Sequence, residues 1–379
     1  MHLLTLTETI DLGPKDKIVA GVYISEDVNG AQLMNLAGGG SMTPFTERRP
    51  FDDTQDWNGK RILIERAGGF GDIVQLTPSC REIKRRWPKC FLTVSTMDHY
   101  AVVLKNLPFV DSTVSYPLPL EIAKTYDAWV FLENAIERNP RARSMHMADL
   151  FAEIIGLRGK PGLAGAGGHP ALDDNKAAYQ VTPNEMIWVM EQYPRVPGKC
   201  RITIQPKASA RLRNYPNEQF KQVIEGLLAK GWEVFLLSHF TDGVKVPEVE
   251  GLYNLVDFNT TFRQSCAVIN NSDVHLGPDS ALVHIAGALN VPAVGLYGPF
   301  PWELRTKYAD QTFSLTGNKL PCSPCFHHPN PYKGANDEFP ANCPSRKTGY
   351  CEVLSSIKPE RILQKIDQIA KKAPLEVRA

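Results

Sequence analysis

The sequence predicts an α/β fold in which two Rossmann-like, doubly wound domains face each other across a cleft. Three observations predict it. Short apolar strands alternate with helical periodicity, this alternation starts again in the second half, and a stretch rich in Gly, Ala, Pro and Asp at 160–178 separates the halves. A length of 379 residues also suits two domains better than one core.

Composition and charge are those of a globular chain. Hydrophobic residues make up 43% and charged residues 22%, and the formal net charge is +1, so nucleic acid is not indicated as a partner. The sequence has no apolar run of about 18 residues, and its start lacks the basic and apolar regions of a secretory signal. We therefore expect a cytoplasmic protein, at most peripheral to the membrane, with reduced thiols. The oligomeric state stays open.

The element pattern divides the chain into four regions. Residues 1–57 form an N-terminal extension of short alternating pieces, for which we expect a small sheet but predict no role. Residues 58–178 and 179–357 form the two Rossmann-like domains, and the second contains a Cys-rich loop at 320–352. Residues 358–379 contain a C-terminal helix, which we expect to pack back on the first domain.

The first domain opens with an apolar strand over 61–65 and a helix over 73–86. The turn between them contains Gly68, Gly69, Phe70, Gly71 and Asp72. Glycines let a backbone pass close to a ligand, although this is not the Gly-x-Gly-x-x-Gly pattern of dinucleotide-binding turns. Asp72 lies at the carboxyl edge of the predicted sheet, where open α/β sheets bind ligands. The alternative is that Asp72 only caps the helix.

A polar loop at 137–146 follows later in the first domain. It carries Arg138, Arg141 and Arg143. These side chains would either clamp an anionic acceptor or form a solvated basic loop.

In the second half, residues 272–297 have the pattern strand, Gly/Asp/Ser turn, helix, strand, which is a βαβ unit. The turn at 277–281 places unpaired backbone N–H groups at the positive end of a helix dipole. Such a helix start is suited to an anion such as a diphosphate. The alternative is an ordinary crossover in which Asp279 or Ser280 is only an N-cap.

Two motifs resemble glycosyltransferase family 9, the ADP-heptose:lipopolysaccharide heptosyltransferases and their relatives. The first is Ile-Leu-Ile-x-Arg-x-Gly-Gly-x-Gly-Asp-x-x-x-x-Thr-Pro over 62–78. The second is Gly-Pro-Asp-Ser-Ala-Leu-Val-His-Ile-Ala-Gly-Ala-Leu over 277–289, followed by Tyr-Gly-Pro at 297–299. The resemblance covers about residues 60–371 and implies a GT-B fold, an acceptor site in the first domain and a donor site in the second.

The resemblance also implies roles for individual residues. Asp72 takes the place of the family's general base, which accepts the proton of the attacking hydroxyl in an inverting transfer. Arg213 stands where the family has a lysine for the donor phosphates, and an arginine keeps the charge in a different geometry. The implied donor-binding residues are Gln205, Lys207, Ser209, Arg213, Gly277, Pro278, Asp279, Ser280, Ala281 and His284. With the acceptor in the first domain, the acceptor-binding residues predicted from the glycine turn and the basic loop are Gly68, Gly69, Phe70, Gly71, Arg141 and Arg143.

Three departures from the family pattern leave the donor sugar and its nucleotide, ADP or UDP, open. Ala281 replaces a glycine of the donor motif. No clear glutamate follows the strand predicted at 232–238, where heptosyltransferases place a ribose-binding carboxylate. The long N-terminal extension is also foreign to those enzymes.

Four cysteines, Cys322, Cys325, Cys343 and Cys351, fall within one short segment. The C-x₂-C pair with two further cysteines is compatible with a structural zinc site, and His327 or His328 would substitute for one ligand. The alternative is a set of cysteines without metal. We expect no catalytic metal, because four thiolates close the coordination sphere.

The function predicted from these features is inverting transfer of a sugar from a nucleotide-sugar donor to an acceptor hydroxyl. The acceptor is a glycolipid or other glycan, a protein, or a modified nucleic-acid base. Two alternatives remain at this level: a non-catalytic protein that binds a nucleotide sugar or glycan, and a GT-B sugar-nucleotide epimerase. An Asp72→Asn variant tests the alternative of a binding protein, and unchanged turnover of that variant would exclude Asp72 as the base.

Overall fold

The computed structural model describes residues 2–8, 10–11, 17–18, 20–25, 33, 38–44, 47, 49–133, 135–137, 139–157, 172, 174–237, 250–256, 260–327 and 339–371. The chain divides into two compact units, Met1–Lys176 and Ala177–Ala379. The boundary follows residue 176 rather than residue 178, within the predicted linker at 160–178. Most of that linker lies outside the described residues.

The N-terminal residues build a small antiparallel sheet. Its strand at 21–25 (β4) pairs with the strand at 2–6 (β1) and also with a short strand at 118–119 (β9). With the strand at 40–44 (β5) on the other side of β1, the sheet order is β5-β1-β4-β9. The small sheet predicted for the N-terminal extension is therefore present, and it shares a strand pairing with residues 118–119 of the first unit. The strands are β1 (His2–Leu6), β2 (Ile10–Asp11), β3 (Lys17–Ile18), β4 (Gly21–Ser25), β5 (Gly40–Pro44) and β9 (Leu118–Pro119).

A parallel sheet with the order β10-β6-β7-β8 forms the center of the first unit. The apolar side chains of β6 are fully buried, which is why this run forms an inner strand. Its strands are β6 (Arg61–Glu65), β7 (Phe91–Thr96), β8 (Ser112–Ser115) and β10 (Ala128–Phe131). The helices are α1 (Phe70–Arg86), α2 (Asp98–Ala101), α3 (Leu120–Ala123) and α4 (Met147–Ile155). A short 3₁₀ turn spans Pro140–Arg143.

The second unit contains an all-parallel sheet with the order β13-β12-β11-β14-β15-β16. Its strands are β11 (Arg201–Ile204), β12 (Glu233–Leu236), β13 (Leu252–Asn254), β14 (Val274–Pro278), β15 (Ala293–Tyr297) and β16 (Thr312–Thr316). Its helices are α5 (Pro183–Gln192), α6 (Asn217–Ala229), α7 (Phe262–Asn270), α8 (Ala281–Ala288), α9 (Glu352–Ser355) and α10 (Pro359–Ala370). The 3₁₀ turns are Arg211–Arg213, Trp302–Leu304 and Pro344–Arg346.

The C-terminal helix α10 packs in the second unit. Its apolar residues Ile362, Ile366 and Ile369 are buried in the core of that unit. A Cβ at Gly226 of α6 would lie 2.7 Å from Leu363 Cδ1, so the glycine allows the two helices to approach closely. These contacts fix the helix within the second unit, and its packing on the first domain stays a prediction. None of the helices in the described part of the chain combines the length and apolar character that crossing a bilayer needs.

Candidate functional site

The first turn of interest connects β6 to α1. The helix begins at Phe70, its N-cap is Gly69, and no side chain caps it. Asp72 is therefore the third residue of the helix, so the interpretation of Asp72 as an N-cap is wrong, and the helix starts three residues before the predicted residue 73. The Asp72 side chain remains 22% exposed at the carboxyl edge of the sheet.

A buried arginine holds the carboxylate of Asp72. Arg66 Nη2 donates to Asp72 Oδ1 at 2.8 Å and to Glu137 Oε1 at 2.7 Å, and Nη1 donates to the Leu132 carbonyl at 3.0 Å. Burial opposes the charge of this guanidinium, yet Asp72, Glu137 and Glu133 raise the pKa of Arg66 above its usual value. Arg66 therefore stays a cation and fixes the direction of the Asp72 carboxylate.

The predicted acceptor residues of this turn lie around Asp72. A Cβ at Gly69, whose φ is +90°, would lie 2.1 Å from Asp72 Oδ2, and a Cβ at Gly68 would lie 2.6 Å from the Tyr100 ring. Phe70 contacts Tyr100 edge-on, with ring centroids 4.8 Å apart. Gly71 lies in the first turn of α1 and is partly exposed. A side chain at 68 would therefore displace the Tyr100 ring, and one at 69 would be strained by its backbone and would displace the Asp72 carboxylate.

The predicted arginine clamp is only partly described. Arg141 lies in the 3₁₀ turn after Asn139 and forms an ion pair with Glu153 of α4, so its charge is already balanced. Arg143 is exposed. Arg138 lies outside the described residues. The described part of the loop therefore gives Arg141 a structural partner within its own unit.

The second turn of interest connects β14 to α8 in the second unit. The strand extends to Pro278, two residues into the turn predicted at 277–281, and α8 begins at Ala281. Ser280 occupies the N-cap position but makes no capping hydrogen bond, and its Oγ instead accepts from Gln205 Nε2 at 3.0 Å. The interpretation of Ser280 as an ordinary cap is therefore wrong. The first N–H groups of α8 keep their capacity for an anion.

Side chains from a separate loop converge on this turn. Arg213 Nη1 donates to the Asp279 carbonyl at 2.6 Å, and Nη2 donates to Ser209 Oγ at 3.0 Å. Gln205 Nε2 also donates to the Lys207 carbonyl at 2.8 Å. The structure therefore joins the loop after β11 to the turn before α8, as the predicted donor site requires.

Two further features constrain the same turn. A Cβ at Gly277 would lie 3.0 Å from His275 Nε2, so a side chain at that position would require its neighbours to move. Asp279 is buried, and its carboxylate lies 3.8 Å from His284 Nε2 and 3.4 Å from Arg305 Nε. Arg305 was not predicted from the sequence, because it lies outside both motifs.

Burial makes both histidines of this region neutral. It lowers the pKa of His275 to about 3, and together with Arg305 and Arg213 it lowers the pKa of His284 to about 4 against the opposing effect of Asp279. Neutral imidazoles near the N-terminus of α8 donate or accept hydrogen bonds without adding charge.

These two pKa values predict an acid-sensitive second unit. In the unfolded chain a histidine titrates near pH 6.5. Between pH ~6.5 and ~4 the unfolded state binds protons that the folded state excludes. As the pH decreases through this range, the free energy of unfolding therefore falls by about 1.4 kcal/mol per pH unit for each histidine. Urea unfolding from pH 7.5 to 5 checks this. We expect a shallower pH slope for His284→Asn than for the unsubstituted protein, and equal slopes would contradict the interpretation.

The four cysteines of the predicted metal site line one cavity of about 160 Å³ in the second unit. Burial raises the pKa of the Cys325 and Cys351 thiols, and the neighbouring cysteines add to this effect. Within the ranges that the structure describes, no three His, Cys, Asp or Glu side chains form a ready-made metal site. His328 lies outside those ranges.

Known proteins resemble this chain in sequence and in fold. The model for glycosyltransferase family 9 (heptosyltransferase) matches residues 145–336. Lipopolysaccharide heptosyltransferase 3 of Escherichia coli is 33% identical over 112 residues, which are 27% of this chain and 32% of that protein. The chain spans about a third of the length of the two curated heptosyltransferase 3 relatives that it matches.

Two solved structures share the fold. Escherichia coli ADP-heptose lipopolysaccharide heptosyltransferase II has a TM-score of 0.61 and 17% identity, covering 83% of this chain and 100% of its own. The dodecameric iron-containing heptosyltransferase TibC of enterotoxigenic Escherichia coli, in complex with ADP-D-β-D-heptose, has a TM-score of 0.59 and 12% identity, covering 98% and 91%. These likenesses confirm the predicted GT-B fold. Since the family model also matches half of the sequence, the chain belongs to glycosyltransferase family 9.

Proposed function

We propose that this chain is an inverting glycosyltransferase, which moves a sugar from a nucleotide-sugar donor to an acceptor hydroxyl. One observation carries the proposal: Gln205, Arg213 and Ser280, from two separate loops, meet at the uncapped N-terminus of α8. An uncapped helix start beside a guanidinium is suited to a diphosphate. Membership of family 9 supports the reaction class.

The second unit would hold the donor and stabilise its leaving group. As the bond between the anomeric carbon and the phosphate oxygen breaks, the nucleoside diphosphate gains negative charge. Fixed hydrogen-bond donors stabilise that charge, so the leaving group needs no general acid. Arg213 and the N–H groups at the start of α8 would supply these donors. The full set that we propose for the donor is Gln205, Lys207, Ser209, Arg213, Gly277, Pro278, Asp279, Ser280, Ala281 and His284.

The first unit would activate the acceptor. We propose that Asp72 accepts the proton of the acceptor hydroxyl while the hydroxyl oxygen attacks the anomeric carbon. The attack comes from the face opposite the diphosphate, which inverts the configuration. Arg66 would hold the carboxylate in position through the 2.8 Å hydrogen bond to Oδ1. The residues 68–71 would shape the acceptor site beside it.

The similar proteins suggest which ligands to test first. They are named as heptosyltransferases, and one solved structure holds ADP-D-β-D-heptose. An ADP-linked heptose is therefore the first donor to test, with UDP-sugars as the alternative, and a lipopolysaccharide sugar is the first acceptor.

Calorimetric titration with ADP, UDP and GDP tests the donor site. We expect Arg213→Met to weaken binding of the preferred nucleotide about tenfold or more, because a charge-assisted contact to phosphate is lost. Arg195→Met is the matched control, because Arg195 pairs with Asp273 at the amino end of β14, and we expect its affinity to stay within about twofold. A protein that binds none of the three nucleotides would remove the proposal.

We also propose that Cys322, Cys325, Cys343 and Cys351 hold a structural metal ion. All four line one cavity, although no three of the described side chains are already placed as ligands, so the thiolates would have to turn toward a metal ion. A set of four thiolates suits zinc or iron. One of the relatives by fold is named as iron-containing. Elemental analysis of the purified protein checks this: we expect about one zinc or iron per chain, lost in Cys325→Ala. A protein that is fully folded without either metal would contradict it.

A further inference from the structure

The turn that we propose for the donor diphosphate contains a buried negative charge. Asp279 is 3% exposed and directly precedes Ser280, the N-cap residue of α8. A carboxylate at this position would repel a diphosphate and would itself compete for the positive end of the helix. The charge of Asp279 therefore has to be balanced if this turn is to bind a nucleotide.

Two other basic residues lie near Asp279. His284 lies 3.8 Å from Oδ1 but is neutral, since its pKa is lowered to about 4. Arg213 directs Nη1 to the backbone carbonyl of Asp279 at 2.6 Å and Nη2 to Ser209 Oγ. Arg305, a permanent cation, pairs with the Asp279 carboxylate itself, with Nε 3.4 Å from Oδ2.

The fold holds Arg305 in place. The residue ends the 3₁₀ turn Trp302–Leu304, its side chain is 7% exposed, and its guanidinium carbon lies 4.3 Å from the centroid of the Phe300 ring. Phe300 in turn contacts Phe326 edge-on at 6.2 Å. A guanidinium stacked on one ring and paired with one carboxylate has little freedom to move.

We infer that Arg305 is a positioning residue of the donor site, which cancels the charge of Asp279 so that the start of α8 and Arg213 can bind a diphosphate. This inference rests on the proposed function. It assigns Arg305 an effect through Asp279 and not a contact of its own with the nucleotide.

A double-mutant cycle with ADP, or whichever nucleoside diphosphate the unsubstituted protein prefers, tests this inference. We expect Arg305→Met to weaken binding about tenfold or more, because a buried carboxylate is left unbalanced beside the phosphates. Asp279→Asn sets the reference affinity, and the double variant should bind within about threefold of that reference, because Arg305 has no carboxylate left to balance. Arg305→Lys, which keeps the charge, should bind nearly as well as the unsubstituted protein.

Three results would overturn the inference. A double variant about tenfold or more weaker than Asp279→Asn would mean that Arg305 contacts the nucleotide directly, and unchanged binding by Arg305→Met would mean that it plays no part. Absence of nucleotide binding by the unsubstituted protein would remove the proposed function as well, so the two failures are distinguishable. Thermal unfolding of each variant shows whether weaker binding comes only from a loss of folding. Arg305→Lys is a second control, because it changes the side chain but keeps the charge.

A spectroscopic readout follows the charge itself. His284 faces Asp279, Arg305 and Arg213, and the two arginines lower its pKa while Asp279 raises it. NMR titration of histidine-labelled protein should show a higher pKa for His284 in Arg305→Met and a lower one in Asp279→Asn. A merely structural role of Arg305 would leave the position of this titration unchanged.

Discussion

An Asp72→Asn variant is expected to transfer sugar about 10³-fold more slowly than the unsubstituted protein, because removing a general base costs about 10² to 10⁴ in rate. The amide keeps an oxygen that can accept the 2.8 Å hydrogen bond from Arg66, so the side chain keeps its position while losing its basicity. The proposed donor site lies in the other unit, and the affinity for nucleoside diphosphate should therefore stay within about twofold. Release of nucleoside diphosphate in the presence of acceptor measures the rate, and calorimetry measures the affinity.

Asp56→Asn is the matched control for this substitution. Asp56 is an exposed carboxylate of the same unit, whose Oδ1 accepts from the backbone N–H of Asn58. We expect its transfer rate to equal that of the unsubstituted protein. Unchanged turnover by Asp72→Asn would contradict the assignment of Asp72 as the base. Absence of turnover in both the unsubstituted protein and the variant would favour the alternative of a binding protein.

A Gly69→Ala variant is expected to lose about 10²-fold in transfer rate, because small displacements of a catalytic group cost factors of this size. The backbone of Gly69 has φ +90°, a conformation that costs an L-residue about 1–3 kcal/mol. The added methyl group would also lie 2.1 Å from Asp72 Oδ2, so the carboxylate has to move. The transfer rate and the free energy of unfolding should both be measured.

Gly59→Ala separates the two effects of this substitution. Gly59 has φ +76°, but a Cβ there meets no heavy atom within 4 Å. We expect a similar loss of stability with an unchanged transfer rate. Equal transfer rates for the alanine variants at 59 and 69 would show that the position of Asp72 does not depend on Gly69.

The two turns were predictable from sequence, because each depends on neighbouring residues. A buried strand, a run of small residues and a helix are read within a short window, and the structure places Asp72 and Ser280 at helix starts as these patterns predict. Their exact helix positions were not predictable, since capping depends on local dihedral angles: Gly69 rather than Asp72 is the N-cap.

The contacts that support the two turns were not predictable, because they join residues far apart in sequence. Arg66 meets Glu137 at a separation of 71 residues, and the docking of α10 depends on the space left by Gly226. Arg305 carries no motif at all. The pairing of β4 with a two-residue strand at 118–119 likewise has no local signal.

The structure of the protein with a bound nucleoside diphosphate tests the central claim, that the start of α8 holds the donor diphosphate, most directly. We predict phosphate oxygens within hydrogen-bond distance of the backbone N–H groups at 281–283 and of the Arg213 guanidinium, with Asp279 still paired with Arg305. A nucleotide whose phosphates lie elsewhere, with those N–H groups bound only to water, would contradict it.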